Sequence, residues 1–369
     1  FWTARQDMGR AARRDTARRQ RRVELAAAEA AEDDPAFAAD AVRTAAARLF
    51  RSIQTAWDAG DRATLGRLVA PGLLGEWERR LDDLARRGWH NHVSLLDEPR
   101  VEYVNLSRPA GGEGQVVVRI EARLRDVVQD ASGHRIKRAG RLSETVTIRE
   151  FWTLGRHANR WRLESIEQGG EGEHALSEQI VGTPWSDEQA LRDEALIEGA
   201  EAVPEGISLA EVADLNFTGD ARAAALDLSL ADGRFSPDVL EVATRRAVQA
   251  WAQAVDGDDT ALLALASPGA AHELLHPGDR SGRTRLVVRG PQVKAIRVTG
   301  LDAGAEPPTM SVEVDVEGRR YLEERDTTAV LAGSRSRRVR FTERWTLGLS
   351  DDPGQPWRIA AAAASPARA

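Results

Sequence analysis

The chain has 369 residues, no cysteine and a formal net charge of −7. That length suits about two domains with separate cores, and the missing cysteines exclude disulfides, thiolate metal sites and thiol catalysis. No run of eighteen apolar residues occurs, so none of these residues is expected to span a bilayer as a helix.

Residues 1–22 hold eight arginines against two aspartates, a net of +6 that leaves −13 for the remainder. An aromatic pair, Phe1-Trp2, followed by arginines is the pattern found at the cytoplasmic end of a transmembrane helix. Residues 1–32 are therefore predicted to form a basic juxtamembrane helix, exposed rather than part of a core. Arg10, Arg13, Arg14, Arg18, Arg19, Arg21 and Arg22 are its lipid-binding candidates, each worth about 1 kcal/mol beside anionic headgroups.

Asp33-Asp34-Pro35 ends this helix and starts the next. Phe37, Val42, Leu49, Phe50, Ile53 and Trp57 follow at helical spacing until Gly60-Asp61 breaks the stripe. Leu65, Leu68 and Val69 mark a short second helix. Pro71-Gly72 opens a third with Trp77, Leu81 and Leu84, and Gly88 stops it. From Val93 the period falls to two, predicting about four antiparallel strands near 101–106, 115–128, 142–154 and 160–166. Residues 33–168 are thus a first α+β domain. Residues 169–235 read as an acidic helical connector that starts with a flexible Gly169-Gly170-Glu171-Gly172. Residues 236–364 form a second domain, with a helix over 239–255 and strands near 286–288, 293–298, 310–316, 327–331, 339–349 and 357–360.

The two domains repeat each other about 195 residues apart. Gly60-Asp61, Leu65, Leu68 and Pro71-Gly72 return as Gly257-Asp258, Leu262, Leu265 and Pro268-Gly269. Glu150-Phe151-Trp152-Thr153-Leu154-Gly155 before Trp161-Arg162-Leu163 returns as Glu343-Arg344-Trp345-Thr346-Leu347-Gly348 before Trp357-Arg358-Ile359. Retained order and spacing with changed surface residues is the signature of one fold used twice.

The run Phe50-x-x-Ile53-Gln54-x-Ala56-Trp57-x-x-Gly60-Asp61, with the closing Phe151-Trp152-Thr153-Leu154 and Trp161-Arg162-Leu163, resembles the Tim44-like domain family within the nuclear-transport-factor-two-like superfamily. The resemblance covers residues 34–167, and more weakly 236–362. It implies two tandem cone-shaped domains, each with three helices packed on a curved antiparallel sheet, preceded by the basic helix. It further implies a membrane-associated, non-catalytic adaptor or scaffold that binds a protein partner or anionic lipid. The long chaperone-binding N-terminal region of the mitochondrial member has no counterpart among these residues. With the arginine cluster, the expected location is the cytoplasmic face of the plasma membrane, through an anchor outside this chain.

Several constellations compete with that reading. His272-Glu273-Leu274-Leu275-His276 matches H-E-x-x-H and would make the protein a zinc-dependent hydrolase. Pro277-Gly278 ends its helix at once, and no third ligand follows at helical spacing. His90 and His92 share one face of an extended segment, but no third donor is evident in the sequence, so no metal or cofactor is assigned. A small apolar ligand could occupy a cone interior, with Trp57, Tyr103, Glu150, Trp152 and Trp345 as pocket candidates. Glu150 and its counterpart Glu343 are expected to be masked by an arginine such as Arg162 rather than to act as an acid or base. The acidic body argues against nucleic acid as a partner.

Overall fold

The structure, a computed structural model, describes residues 2–109, 113–136, 144–200 and 221–363, with side chains described from residue 15 onward. The chain divides into two compact units, Phe1–Asp187 and Glu188–Ala369, each with helices preceding an antiparallel sheet. Residues 169–187 therefore pack with the first unit, and 188–200 and 221–235 with the second. Among the described residues no helix is long and apolar enough to cross a membrane.

In the first unit α1 (Trp2–Asp33) leads to Asp34, whose carboxylate accepts from the Ala36 amide at 2.9 Å and starts a 3-10 turn over Pro35–Phe37. Helices α2 (Ala39–Asp58), α3 (Arg62–Leu68) and α4 (Pro71–Arg86) follow. Asp61 caps α3 by accepting from the Thr64 amide at 3.0 Å, and proline at the first position opens α4. Strands β1 (Trp89–Leu95) and β2 (Arg100–Ser107) lie end to end along one edge of β3 (Gln115–Asp130). Hairpins then add β4 (Thr145–His157) and β5 (Arg160–Gln168). Alternation along β3 buries Val116, Val118, Ile120, Ala122 and Leu124 in one core with Phe50 and Ile53 of α2. Phe50 meets Trp152 at 5.1 Å between ring centroids.

Two expectations need correction here. The first helix is not wholly exposed, because Val23, Ala27 and Ala30 are buried in the core of the first unit. Their spacing of four and three makes a narrow stripe of small residues, which the surrounding arginines and glutamates hide from a periodicity reading. The glycine-rich stretch after β5 is ordered, forming a 3-10 helix over Gly169–Leu176. Glu171, only 2% exposed, accepts from the Gln168 amide at 3.0 Å. A Cβ on Gly172 would stand 2.3 Å from the Phe151 ring, so glycine there permits close packing rather than movement.

The second unit contains α5 (Glu188–Glu198), α6 (Ala221–Ser229), α7 (Pro237–Ala254), α8 (Thr260–Leu265) and α9 (Pro268–Leu275). Its sheet runs β6 (Thr284–Asp302), β7 (Thr309–Glu324), β8 (Val330–Leu349) and β9 (Trp357–Ala363) in sequential order. The predicted breaks within β6 and β8 are bulges in continuous strands. Pro291 is tolerated because β6 is an edge strand and the register shifts between Arg289 and Gln292. Gly333, at φ 82°, brings β8 so close to β7 that a Cβ would lie 2.4 Å from the Arg320 carbonyl oxygen.

The units share details beyond their sequence landmarks. Val69 bridges Leu163 in parallel, and Ala266 bridges Ile359 in the same way. Asp232 caps its own 3-10 turn by accepting from the Arg234 amide at 3.0 Å, as Asp34 does. Phe37 meets Trp161 edge-on at 5.1 Å, and Phe235 meets Trp357 edge-on at 5.2 Å. Such pairs combine a large buried area with favourable quadrupole geometry.

Candidate anion-binding groove

Two adjoining grooves, of about 530 and 910 Å³, lie between α1 and the β2–β3 side of the sheet. Thr16, Gln20, Glu102 and Arg119 line both. Arg18, Arg19 and Arg22 line the smaller, and Arg43, Arg100 and Arg149 the larger. The seven arginines face only three carboxylates, Asp15, Glu102 and Glu121. Alternation on β3 turns Arg119 and Glu121 away from the core face that carries Val118 and Ile120.

These arginines divide by what they already hold. Arg119 pairs with Glu102, Arg149 with Glu121 at 3.1 Å, and Arg43 with Glu24 at 2.9 Å. Arg19 donates to the carbonyl oxygens of Ala175 at 2.7 Å and Glu178 at 3.0 Å. Burial and the neighbouring Arg22 hold its pKa below the ordinary guanidinium value. Arg19 thus ties α1 to the segment after β5, whatever else it does. Arg18, Arg22 and Arg100 are exposed and have no carboxylate partner among the described residues. Arg21 is exposed as well, while the side chains of Arg10, Arg13 and Arg14 lie outside the described residues. Arg100 and Arg119 were missed by sequence reasoning because they follow the arginine cluster by about eighty residues or more, and only the path of α1 brings them to it.

The pocket candidates fall in different places. Tyr103 and Trp152 are sealed in the core of the first unit, at 0% and 1% exposure, and Trp57 lies at its edge. The Trp57 indole donates to Asn91 Oδ1 at 3.0 Å. The Tyr103 hydroxyl is buried without a hydrogen-bond partner, and burial raises its pKa. Trp345 lies in the core of the second unit. The Glu150 carboxylate accepts from the Trp152 indole at 2.9 Å, and that indole, not Arg162, is its partner. Burial raises the Glu150 pKa against that hydrogen bond. Glu343 faces Arg320 at 3.6 Å and has one oxygen without a hydrogen-bond partner. Burial pushes its pKa up to about 7 despite that cation.

The H-E-x-x-H residues are committed to local structure. Helix α9 ends at Leu275, which leaves His276 outside it at φ −135°. His276 Nδ1 donates to the Thr284 carbonyl at 2.6 Å, and His272 Nε2 to the Asp279 carbonyl at 3.1 Å. Glu273 accepts from the Gly278 amide at 3.1 Å, capping the turn where a hydrolase would need it to face water. Burial lowers the His276 pKa, with Arg285, Arg325 and His272 adding to the effect. Among the described residues no third histidine or carboxylate completes a ligand set with this pair.

Comparison with known proteins gives a family model match for the Tim44-like domain over residues 23–168. Among solved structures, the intermembrane space region of the chloroplast protein ARC6 is 12% identical, with a TM-score of 0.28. That likeness covers 34% of this chain and 95% of the other. An Ntf2-like protein involved in plasmid conjugation is 9% identical, with a TM-score of 0.21, over 85% of this chain and 93% of the other. No curated protein matches the sequence.

Proposed function

We propose, from the premise that residues 23–168 form a Tim44-like domain, that the protein is a non-catalytic adaptor resting on anionic lipid at the cytoplasmic face of the plasma membrane. In this reading α1 and the groove beside it bind headgroups, and the sheet-and-helix units present their outer surfaces to a protein partner. The observation that carries it is that Arg18 and Arg22 line one of two adjoining grooves and Arg100 the other, none of the three with a carboxylate partner among the described residues. A phosphate-bearing headgroup supplies the charge these guanidiniums lack, through forked hydrogen bonds. The commitment of Glu273 to a backbone cap favours binding over hydrolysis.

Three such arginines at about 1 kcal/mol each amount to roughly a hundredfold in membrane partition. Flotation of the full chain with phosphatidylglycerol vesicles should show binding that weakens with salt. Replacing Arg18, Arg22 and Arg100 together by alanine should reduce it by roughly that factor. Equal binding by the variant, or equal binding to phosphatidylcholine vesicles, would refute the lipid reading.

A further inference from the structure

The end of α2 and the start of β1 meet at a corner that the groove does not involve. Asp58 closes α2, and His90 and His92 project together from β1 because strand alternation puts them on one face. Asn91, between them, is buried on the opposite face. Its Nδ2 donates to Asp126 Oδ1 at 2.7 Å, and its Oδ1 accepts from Trp57, which fixes the strand so that both imidazoles point outward. Asp58, His90 and His92 can each offer a ligand atom, all within 4.8 Å of one another. We propose that this corner is a binding site for a zinc-like divalent transition cation, with Asp58, His90 and His92 as its protein ligands.

The spacing suits the chemistry. His92 Nδ1 stands 3.3 Å from Asp58 Oδ1, and two donors bound tetrahedrally at about 2.0–2.1 Å stand about 3.3–3.4 Å apart. The two imidazole rings are 4.3 Å apart between centroids. Supporting bonds are in place as well. His90 Nε2 donates to the Asp58 carbonyl oxygen at 2.7 Å, which leaves the lone pair on Nδ1. The Val93 amide donates to Asp58 Oδ1 at 2.9 Å and orients the carboxylate. The negative end of the α2 dipole lies at the same place and favours a cation.

In the second unit Val255 stands at the position that matches Asp58, and the carboxylate there is one residue later, at Asp256. There Arg289 binds Asp256 with two hydrogen bonds of 2.8 and 3.0 Å, so the protein supplies the cation itself. At Asp58 no arginine or lysine does so among the described residues. Two imidazoles and one carboxylate make a borderline donor set that prefers zinc-like ions to magnesium or calcium. Because His90 and His92 are exposed, at least one coordination position faces solvent.

The test is titration of the full metal-stripped chain with zinc chloride, by calorimetry in a non-chelating buffer at neutral pH. One zinc per chain is expected. His90→Ala and His92→Ala should each weaken it at least tenfold, while His272→Ala leaves it unchanged. Both histidines are exposed, so circular dichroism should show these variants folded, and Asp58→Asn gives a third reading if it folds too. Absence of stoichiometric binding would overturn the proposal, as would binding that persists in His90→Ala and His92→Ala or is lost in His272→Ala. Lipid flotation of the same variants separates this site from the groove, since neither result depends on the other.

Discussion

Glu343→Gln offers the sharpest test of how the second unit is held together. Glu343 is 2% exposed, and burial pushes its carboxyl to about 7 from an ordinary 4.5 even though Arg320 stands 3.6 Å away. The folded state therefore binds a proton there that the unfolded chain releases near pH 4.5. Stability must fall as pH rises from about 4.5 to 7 and level off above, where the carboxylate is charged in the folded and the unfolded state alike. At about 1.4 kcal/mol per pKa unit the loss is of order 3 kcal/mol. Glutamine keeps the shape and the neutral polarity, so it should match the wild type near pH 4.5 and be more stable at pH 8. For a unit of this size the gain at pH 8 is about 6–12 °C in Tm. Calorimetric unfolding of both proteins from pH 4.5 to 8 would show two curves that separate with rising pH. Curves that stay parallel would refute the reasoning, because the carboxylate would then be as well accommodated charged as neutral.

Other outcomes follow from single features of the fold. At His174 burial opposes the charge, but the bonds its ring donates to the carboxylates of Glu167 at 2.5 Å and Glu178 at 2.6 Å outweigh it and lift the imidazole to about 9. That stabilisation is complete below about pH 6.5 and lost as pH passes 9, so His174→Gln should lower Tm at pH 6 and have little effect at pH 10. Gly172→Ala places a methyl group against the Phe151 ring and should cost about 1–3 kcal/mol in urea unfolding. A neutral result there would mean that the 3-10 segment can lift off β4. Phe37→Ala and Phe235→Ala remove equivalent edge-on partners of Trp161 and Trp357 and should each cost about 3–5 kcal/mol by the same measurement. A large difference between them would show that the two cores are not equivalent in energy.

Much of the fold was legible because its signals are local. The stripe from Val42 to Ile53, the caps at Asp34 and Asp61, and the prolines that open α4 and α9 act within a few residues of themselves. Helix and strand periods are properties of such short windows. The continuity of β6 across Pro291 was not legible, because it depends on which edge of the strand faces a neighbour. Nor was the order of the stretch after β5, since Gly172 reads as freedom until Phe151 is placed beneath it. The arginine cluster of α1 was visible in the sequence, but its division was not. Arg19 is held by backbone carbonyls from 156 and 159 residues away, while Arg18 and Arg22 line the groove that adjoins the one lined by Arg100.

Sequence alone determined the order of helices before strands in each half and the landmarks the halves share, since hydrophobic period, capping and the spacing of tryptophans are written along the chain, but it did not count β1 (Trp89–Leu95) among the strands. Tertiary structure decided which side chains meet. The third partner of His90 and His92 is Asp58, more than thirty residues earlier at the end of a helix. The H-E-x-x-H pair faces backbone carbonyls instead of a metal set. Chemistry depends on distances of a few ångströms between residues far apart in the chain, and only the packing of helices on a sheet sets those distances.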